Sequence, residues 1–353
     1  MTRIDSFAKG VRLSAGIALA VCAVPNPAVA ETPVPKQITI VVGTGAGGGF
    51  DEYARLLVKH MEKKFPGKPT VIVQNMPGAG GIRSMSWLAA AAPRDGSAVA
   101  TMSSAAVYAP MQGIPGATYD ATKFNYLISL DRLSNFLIVW HTTPYTSADD
   151  AFARQIIIAN AAGPTAVMPV MYNRLLGTKF KVVTGYTGTN DVLVALERGE
   201  GEGAFNLSWS SIISHPRLLN EKLIRVLMQF TFNPVDDPRL ADVPTLNDYV
   251  KPGIERDMLE ILLAKDETGR AIIAPPGMPA DLVRTYRDSL LQIANDPAFQ
   301  AEAKERQMPL MIQTGDKVES DVQRIYAMPE STVARLQEEM KRATEDVPKE
   351  PTK

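Results

Sequence analysis

A run of β-branched residues followed directly by a glycine-rich segment is the strongest constraint on the fold of this chain. Residues 38–42 read ITIVV, which is typical of a strand buried on both faces. Glycines follow at 43, 45, 47, 48 and 49, and residues 51–65 then carry apolar side chains at helical spacing. A buried strand that turns tightly into a helix is the opening unit of an open parallel sheet covered by helices.

The same order of strand, loop and helix is repeated further along. Residues 71–75 (VIVQN) predict a second strand, which leads through residues 77–81 into a helix, and residues 97–101 predict a third strand. Pro169 predicts a kink in the helix that contains it. This alternation predicts an α/β fold with parallel-rich sheets. Further strands are expected at 125–130, 136–140, 155–159, 181–184, 223–230 and 271–274, and helices at 164–176, 280–294 and 297–307, with another that ends at 197.

Composition narrows the class of protein. A chain of 353 residues suggests two domains, and 45% hydrophobic with 21% charged residues is typical of a globular protein. Lys and Arg number 37 and Asp and Glu 38, so the net charge of -1 favours no nucleic-acid partner. A single cysteine excludes a disulfide framework and a cysteine-based zinc site.

The first thirty residues have the pattern of an export signal. Three basic residues precede a short apolar run at 13–24, and Ala28-Val29-Ala30 forms an A-x-A cleavage site. The run is too short to span a bilayer. Lipid attachment at Cys22 is disfavoured because bulky Val21 stands where a small residue is usual, so we expect cleavage after Ala30 and a periplasmic protein. A buried N-terminal helix is the alternative.

Candidate catalytic groups are scarce. Gly43-x-Gly45-x-x-Gly48 fits the dinucleotide fingerprint, but the second strand ends in Gln74-Asn75, where that fold needs an acidic residue. The three histidines belong to no known catalytic or metal-binding motif. Asp51 stands where an N-cap or a first-turn acid belongs, and we expect it to cap the helix rather than to form an acid/base pair with Glu52. We therefore expect no catalytic residue, no metal and no cofactor.

Three loops follow the three expected parallel strands, at residues 43–51, at residues 75–81 and at Ser103-Ser104. Carboxyl ends of parallel strands share one edge of a sheet, where open α/β sheets bind ligands. Glycine lets backbone N–H groups approach an anion, and the start of a helix adds positive dipole character. These loops predict a carboxylate site, unless the glycines only make tight turns.

Several segments resemble a known family, the extracytoplasmic solute receptors of tripartite tricarboxylate transporters. ITIVVGTGAGGGFDEYARLLVKHMEKKF is similar to the family's first strand, loop and helix, and VIVQNMPGAGG to its second loop. Residues 92–96, 242–246 and 274–279 resemble the family's A-P-x-D-G, D-V-P-T-L and A-P-A-G-T-P segments. These matches run in the family's order from Gln37 to Gln307.

The resemblance implies a two-domain periplasmic binding protein of the type II, Venus-flytrap kind, with crossover strands. Domain 1 would comprise 37–135 and 245–341, domain 2 would comprise 136–244, and 342–353 would be a flexible tail. The family captures a small organic acid and delivers it to the membrane subunits of a tripartite transporter, and we expect a monomer. A ligand-sensing receptor for a signalling partner is the alternative, and an exported α/β enzyme is disfavoured by the lack of catalytic groups.

The resemblance also implies where the ligand lies. Arg83 follows the second loop and is either a contact for a second anionic group or a solvated arginine. Phe50, Tyr108, Tyr186 and Trp209 either line an aromatic-tolerant pocket or pack in the core. The expected ligand-binding residues are Thr44, Ala46, Gly47, Phe50, Asp51, Gly78, Ala79, Gly80, Ser103, Ser104, Gly163, Thr165, Thr187, Gly188, Asn190 and Asp191.

Overall fold

Two separate β-sheets organise the chain in the computed structural model. It describes residues 32–101, 103–161, 166–186 and 188–348, without the side chains of 161, 206 and 210. The expected export signal, with Cys22 and Ala30, lies outside these residues.

The first sheet has six strands, in the order β11–β4–β10–β3–β1–β2. Strand β1 lies between β2 and β3 and is parallel to both, as the glycine-loop pattern predicts. Strand β10 is antiparallel to its neighbours β3 and β4, and β11 is antiparallel to β4. These strands are β1 (Gln37–Val42), β2 (Thr70–Asn75), β3 (Ala98–Thr101), β4 (Asn125–Ser129), β10 (Ala271–Ala274) and β11 (Gln313–Thr314).

The second sheet has five strands, in the order β7–β6–β8–β5–β9. Strand β6 is parallel to β7 and β8, whereas β5 is antiparallel to β8 and β9. The chain crosses from the first sheet to the second between β4 and β5, and it returns after β9. These strands are β5 (Asn135–Trp140), β6 (Ile156–Ala161), β7 (Phe180–Tyr186), β8 (Gly203–Ser208) and β9 (Ile224–Phe230).

Helices cover both faces of each sheet. Helices α1, α10 and α11 pack on one face of the first sheet. A single apolar core extends from the other face of this sheet to the second sheet. The predicted α/β class with two sheets is therefore confirmed. The helices are α1 (Gly49–Lys64), α2 (Ile82–Ala90), α3 (Ala105–Tyr108), α4 (Asp150–Ala153), α5 (Val167–Leu176), α6 (Thr189–Glu197), α7 (Trp209–Ile213), α8 (Pro216–Asn220), α9 (Ile254–Thr268), α10 (Ala280–Ala294), α11 (Pro297–Glu305), α12 (Gly315–Tyr326) and α13 (Glu330–Asp346).

The kink predicted at Pro169 is wrong. Helix α5 runs without interruption from Val167 to Leu176. Pro169 is its third residue, and N–H groups in the first turn of a helix have no intrahelical acceptor to lose. The proline therefore fits where it stands.

The C-terminal helix α13 packs against both α5 and α9. Arg174 of α5 pairs with Glu339 at 2.8 Å and with Asp346 at 3.0 Å. The chain is therefore helical through Asp346, beyond residue 342 where the sequence suggests a flexible tail. The domain boundaries at 135, 244 and 341 stay a prediction.

Within residues 32–348, apart from the gaps given above, none of the helices is long and apolar enough to cross a bilayer.

Gly269 lies between α9 and β10, and a substitution at this position tests how closely the crossover is packed. Its φ is +59°, and a Cβ there would lie 1.9 Å from the carbonyl oxygen of Asp131. We expect Gly269→Ala to lower the free energy of unfolding by about 3 kcal/mol, measured by urea denaturation, because backbone must move to admit the methyl group.

Gly177→Ala is the matched control. Gly177 has φ +77°, but a Cβ at this position would meet no atom within 4 Å. This variant should lower the free energy of unfolding by about 1 kcal/mol, which is the cost of the left-handed conformation alone. Equal losses in the two variants would contradict the packing argument.

Candidate functional site

The structure brings together the three loops that follow β1, β2 and β3. The strand ends are in register, with Val42 opposite both Asn75 and Thr101. Two backbone bonds of 2.8 Å extend this pairing past the strands, from Gly43 N to Thr101 O and from Met76 N to Val42 O. Helix α3, which follows the third loop, contacts the turn of the second. The predicted edge is therefore confirmed as one continuous surface.

The first loop exposes unpaired backbone donors. Residues 45–48 are exposed, and α1 begins after Gly48 without a side-chain cap. Among the described residues, the N–H groups of Gly45, Ala46, Gly48 and Gly49 have no acceptor. The Oγ1 atom of Thr44 is buried and also lacks a partner. The loop therefore offers several hydrogen-bond donors at the positive end of a long helix.

Asp51 is not the N-cap of α1 but an acid of its first turn, so of the two positions that the sequence allows the structure shows the second. It is the third residue of the helix and only 1% exposed, and its carboxylate accepts three hydrogen bonds. The donors are Gly47 N at 2.9 Å, Arg55 Nε at 2.8 Å and Asn75 Nδ2 at 2.9 Å. Asn75 Nδ2 also donates to Thr44 O at 3.1 Å. Asp51 therefore fastens the first loop to the end of β2, and the N–H group of Gly47 is used inside the protein.

These hydrogen bonds keep Asp51 ionised. Burial raises the pKa of its carboxyl group, but the bonds from Arg55, Gly47 and Asn75 outweigh burial and bring the pKa down to about 2.

The second loop forms a tight turn at Ala79–Gly81 with positive φ angles throughout. These are 152° at Gly78, 44° at Ala79, 64° at Gly80 and 98° at Gly81. Gly81 N donates to Gly78 O at 3.0 Å, whereas the N–H groups of Ala79 and Gly80 have no acceptor in the described part of the chain. No atom lies within 4 Å of a Cβ built on Gly80, so the space beside this residue is open.

The third loop contributes Ser103 and Ser104. Their carbonyl oxygens accept from Ala106 N and Val107 N, at 2.9 and 3.1 Å, and so begin α3. Ser104 is buried and Ser103 is half-buried. Both serines therefore lie at the shared edge, as predicted.

The expected residues of the second sheet are only partly visible. Gly163, Thr165 and Thr187 lie outside the described residues. Gly188 precedes α6, and Asp191 is in the first turn of that helix. Asn190 Oδ1 lies 3.0 Å from His215 Nε2. These residues follow β7, whose carboxyl end is in register with that of β6.

Most aromatic candidates have structural partners. Tyr108 and Trp209 are buried in the core. The hydroxyl of Tyr186 donates to Glu200 Oε2 at 3.2 Å. Phe50 is half-buried, and the guanidinium carbon of Arg270 lies 5.2 Å from the centre of its ring. Only Phe50 among the four therefore adjoins the loops of the first sheet through contacts that the structure shows.

Sequence reasoning missed a charged group beside these loops. Arg270 Nε lies 3.3 Å from Oδ2 of Asp131, and Tyr53 OH lies 3.5 Å from the same oxygen. Burial raises the pKa of Asp131 to about 6, although Arg270 and Tyr53 both act to lower it. No motif marks these residues, because the order of strands in the sheet brings them together.

The described residues offer no group of three or more His, Cys, Asp or Glu side chains that could hold a metal ion. His60 is buried on α1, with its Nε2 3.1 Å from Glu302 Oε2 and its ring edge-on to Phe299. The contacts of His60 with Glu302 and Phe299 are therefore those of a residue that packs between helices.

Comparison with known proteins identifies the family. Residues 53–324 match the family described as the tripartite tricarboxylate transporter family receptor. The chain belongs to this family. A curated relative from Cupriavidus necator, described as a UPF0065 protein in the gbd 5' region, is 32% identical over 157 residues. That match covers 43% of this chain and about half (46%) of the relative.

Solved structures confirm the fold of this receptor-family chain. A TctC solute-binding protein from Polaromonas aligns with a TM-score of 0.66 at 17% identity, covering 87% of this chain and 98% of the other. R. palustris Rpa4515 with adipate aligns at 0.53 and 21% identity, covering 87% and 97%. The periplasmic binding protein BugD aligns at 0.50 and 21%, covering 88% and 98%. The predicted family and periplasmic-binding-protein fold are therefore confirmed.

Asp51 gives a testable pH dependence in this receptor. Its folded-state pKa of about 2 lies below the ordinary 3.8, so its contribution to stability is full above about pH 4 and is lost as the pH falls towards 2. We expect Asp51→Asn to lower the free energy of unfolding by about 2 kcal/mol at pH 7, measured by urea denaturation. The difference from the wild-type protein should shrink between about pH 4 and pH 2.

Glu52→Gln is the control, because Glu52 is exposed in the same turn and its side chain makes no hydrogen bond or ion pair to the described residues. Its effect should stay within about 0.5 kcal/mol. A difference between Asp51→Asn and the wild-type protein that is constant across the acid range would refute the electrostatic account.

Proposed function

We propose that this protein is a periplasmic solute-binding receptor that captures a small organic acid and delivers it to the membrane subunits of a tripartite tricarboxylate-type transporter. Family membership supports the receptor role. The observation that carries the choice of ligand is the set of unpaired backbone N–H groups on the first two loops, at Gly45, Ala46, Ala79 and Gly80. A carboxylate is a simple metabolite group that accepts several such bonds at once, and family membership favours it over other anions.

The loops are suited to this task because hydrogen bonds within the protein hold their free donors in place. The bonds of Asp51 to Gly47 N and Asn75 Nδ2 fix the first loop against the second. Fixing donors in advance reduces the entropy that binding must overcome. The amino end of α1 adds a partial positive charge without bringing a mobile cation.

The second sheet completes the proposed site. The expected contacts Gly163, Thr165, Thr187, Gly188, Asn190 and Asp191 follow β6 and β7, which are parallel as β1 and β2 are. In this proposal the two lobes, residues 37–135 with 245–341 and residues 136–244, close over the ligand. Closure removes water from the bonds between amides and carboxylate and so strengthens them.

The protein works without a catalytic step in this proposal. Its family is one of solute-binding receptors, and one of the similar solved structures is that of R. palustris Rpa4515 with adipate, a dicarboxylate. Export by the signal at residues 1–30 would place the receptor in the periplasm, where it would act as a monomer.

A thermal-shift screen against mono-, di- and tricarboxylates and aromatic acids tests the ligand class. A ligand at about 100 times its dissociation constant should stabilise the protein by about 2.7 kcal/mol and raise the melting temperature by several degrees. A panel in which no carboxylate raises the melting temperature would refute the proposal.

Gly80→Val tests the second loop by isothermal titration calorimetry with the acid that the screen identifies. The branched side chain fills the open space beside the turn, so we expect affinity to fall about tenfold or more. Gly199→Val is the control, because Gly199 also has positive φ (74°) and open space around it but follows α6 at the end distant from Gly188. Unchanged affinity in Gly80→Val would remove the second loop from the site.

Uptake of the same labelled acid tests delivery. Cells that lack the receptor should recover uptake with the wild-type protein and not with Gly80→Val. Equal uptake with and without the receptor would refute the transport role while leaving the binding result intact.

A further inference from the structure

Arg270 lies at the same edge of the first sheet as the glycine loops. It directly precedes β10, which is antiparallel to β3, so the amino end of β10 adjoins the carboxyl end of β3. The register shows this, with Ile272 opposite Thr101 and Ala271 opposite Ser129. The residue before Ala271 therefore projects beyond the sheet on the ligand side.

The side chain of Arg270 extends from β10 to the amino end of α1. Its guanidinium carbon lies 5.2 Å from the centre of the Phe50 ring and 4.7 Å from that of Tyr53. A Cβ at Gly49 would lie 2.5 Å from Nη1, so only glycine admits the guanidinium this close to the helix. Two aromatic rings and a bare backbone thus form a fitted cradle for one cation.

Asp131 orients the guanidinium group of Arg270 through its Nε atom. The aspartate is fully buried, and its Oδ2 lies 3.3 Å from Arg270 Nε. A backbone hydrogen bond joins the same two residues, because Arg270 N donates to Asp131 O at 2.9 Å. Asp131 is therefore a positioning residue for Arg270, held on the side of Nε.

The two terminal nitrogens of Arg270 are left without an acceptor among the described residues, although the side chain is only 18% exposed. Arg132 provides the contrast, at 13% exposure in the same crossover. Its terminal nitrogens donate to Asn233 O, Pro234 O and Glu267 Oε2. The terminal nitrogens of Arg270 are not among the buried unpartnered atoms of the described residues, so they remain open to an acceptor from outside the chain. A carboxylate matches the paired geometry of guanidinium N–H groups.

Arg270 and the free amides of the second loop belong to strands on opposite sides of β1. The strand order β10–β3–β1–β2 separates the strand of Arg270 from the strand of the Gly80 loop by three spacings, roughly 14 Å at about 4.8 Å each. The arginine crosses part of this distance to reach Gly49, whereas Ala79 and Gly80 stay on the β2 side. One carboxylate is too small to contact both Arg270 and the amides of Ala79 and Gly80, although it could share Arg270 with amides of the first loop.

We propose that Arg270 is a specificity-determining residue of the ligand site, where its terminal nitrogens bind a second carboxylate, so that the captured acid is a short dicarboxylate. This inference rests on the proposed function, which supplies the first carboxylate contact at the amides. It assigns the second anionic contact to Arg270 rather than to Arg83, which is exposed and lies 3.5 Å from Pro77 O.

Calorimetry with paired probes tests the proposal. The probes are succinate, glutarate and adipate, each beside its monoamide, which keeps the shape and removes one charge. We expect the wild-type protein to bind at least one dicarboxylate about tenfold or more tightly than its monoamide. Arg270→Gln should weaken the binding of that dicarboxylate by a similar factor. It should change the affinity for the matching monoamide by less than about threefold.

Two further variants guard against a folding defect, because Arg270→Gln leaves a buried carboxylate without its partner. The double variant Asp131→Asn/Arg270→Gln removes both charges and should show the same loss of preference. Arg270→Lys keeps the positive charge and should retain part of the preference for the dicarboxylate. Arg132→Gln, the matched control, should bind both probes of each pair as the wild-type protein does.

The outcomes separate this inference from the proposed function. Wild-type preference for the dicarboxylate that survives in Arg270→Gln and in the double variant would overturn the role of Arg270. Equal binding of dicarboxylate and monoamide by the wild-type protein would overturn it too. In both cases a loss of affinity in Gly80→Val would leave the receptor proposal standing. Failure of the wild-type protein to bind any carboxylate would overturn both.

Discussion

The carboxylate of Asp51 is the interaction on which the arrangement of the glycine loops depends. It accepts from the first loop, from its own helix and from the last residue of β2. Glycine-rich segments lose much conformational entropy on ordering, so loops of this composition need such an anchor to hold one conformation. By taking the N–H group of Gly47 for this purpose, the protein uses one potential ligand donor to fix the positions of the others.

The crossover between the sheets is built on a second group of buried polar residues. Three backbone hydrogen bonds join the crossover to the end of α9 and the connection that follows it. Leu133 N donates to Asp266 O, Leu130 N to Arg270 O and Arg270 N to Asp131 O. Asn135 Nδ2 donates to Asp266 Oδ2 at 3.1 Å, and Asp266 is buried. The sheet edge that carries the glycine loops is therefore directly connected to the crossover, because Arg270 belongs to both.

Local sequence signals predicted the parts of the fold and site that are local. The β-branched run at 38–42 and the glycines after it predicted β1, its loop and α1, and sequence order placed the three loops at one edge. The partners of Asp51 were not predictable, because Asn75 reaches it only through sheet pairing. Arg270 was missed for the same reason, since β10 inserts beside β3 from far along the chain. Helix α9 was missed despite apolar residues at helical spacing, such as Met258 and Leu262.

Helix α13 has a consequence for any movement of the two sheets. It contacts α9, which leads into β10 of the first sheet, and its ion pairs to Arg174 tie it to α5, which leads into β7 of the second sheet. Rotation of one sheet relative to the other must therefore carry this helix along with one of them and slide it over the other. The C-terminal helix therefore couples the two sheets on this side of the molecule, and the lobe closure proposed above would have to accommodate its contacts with both.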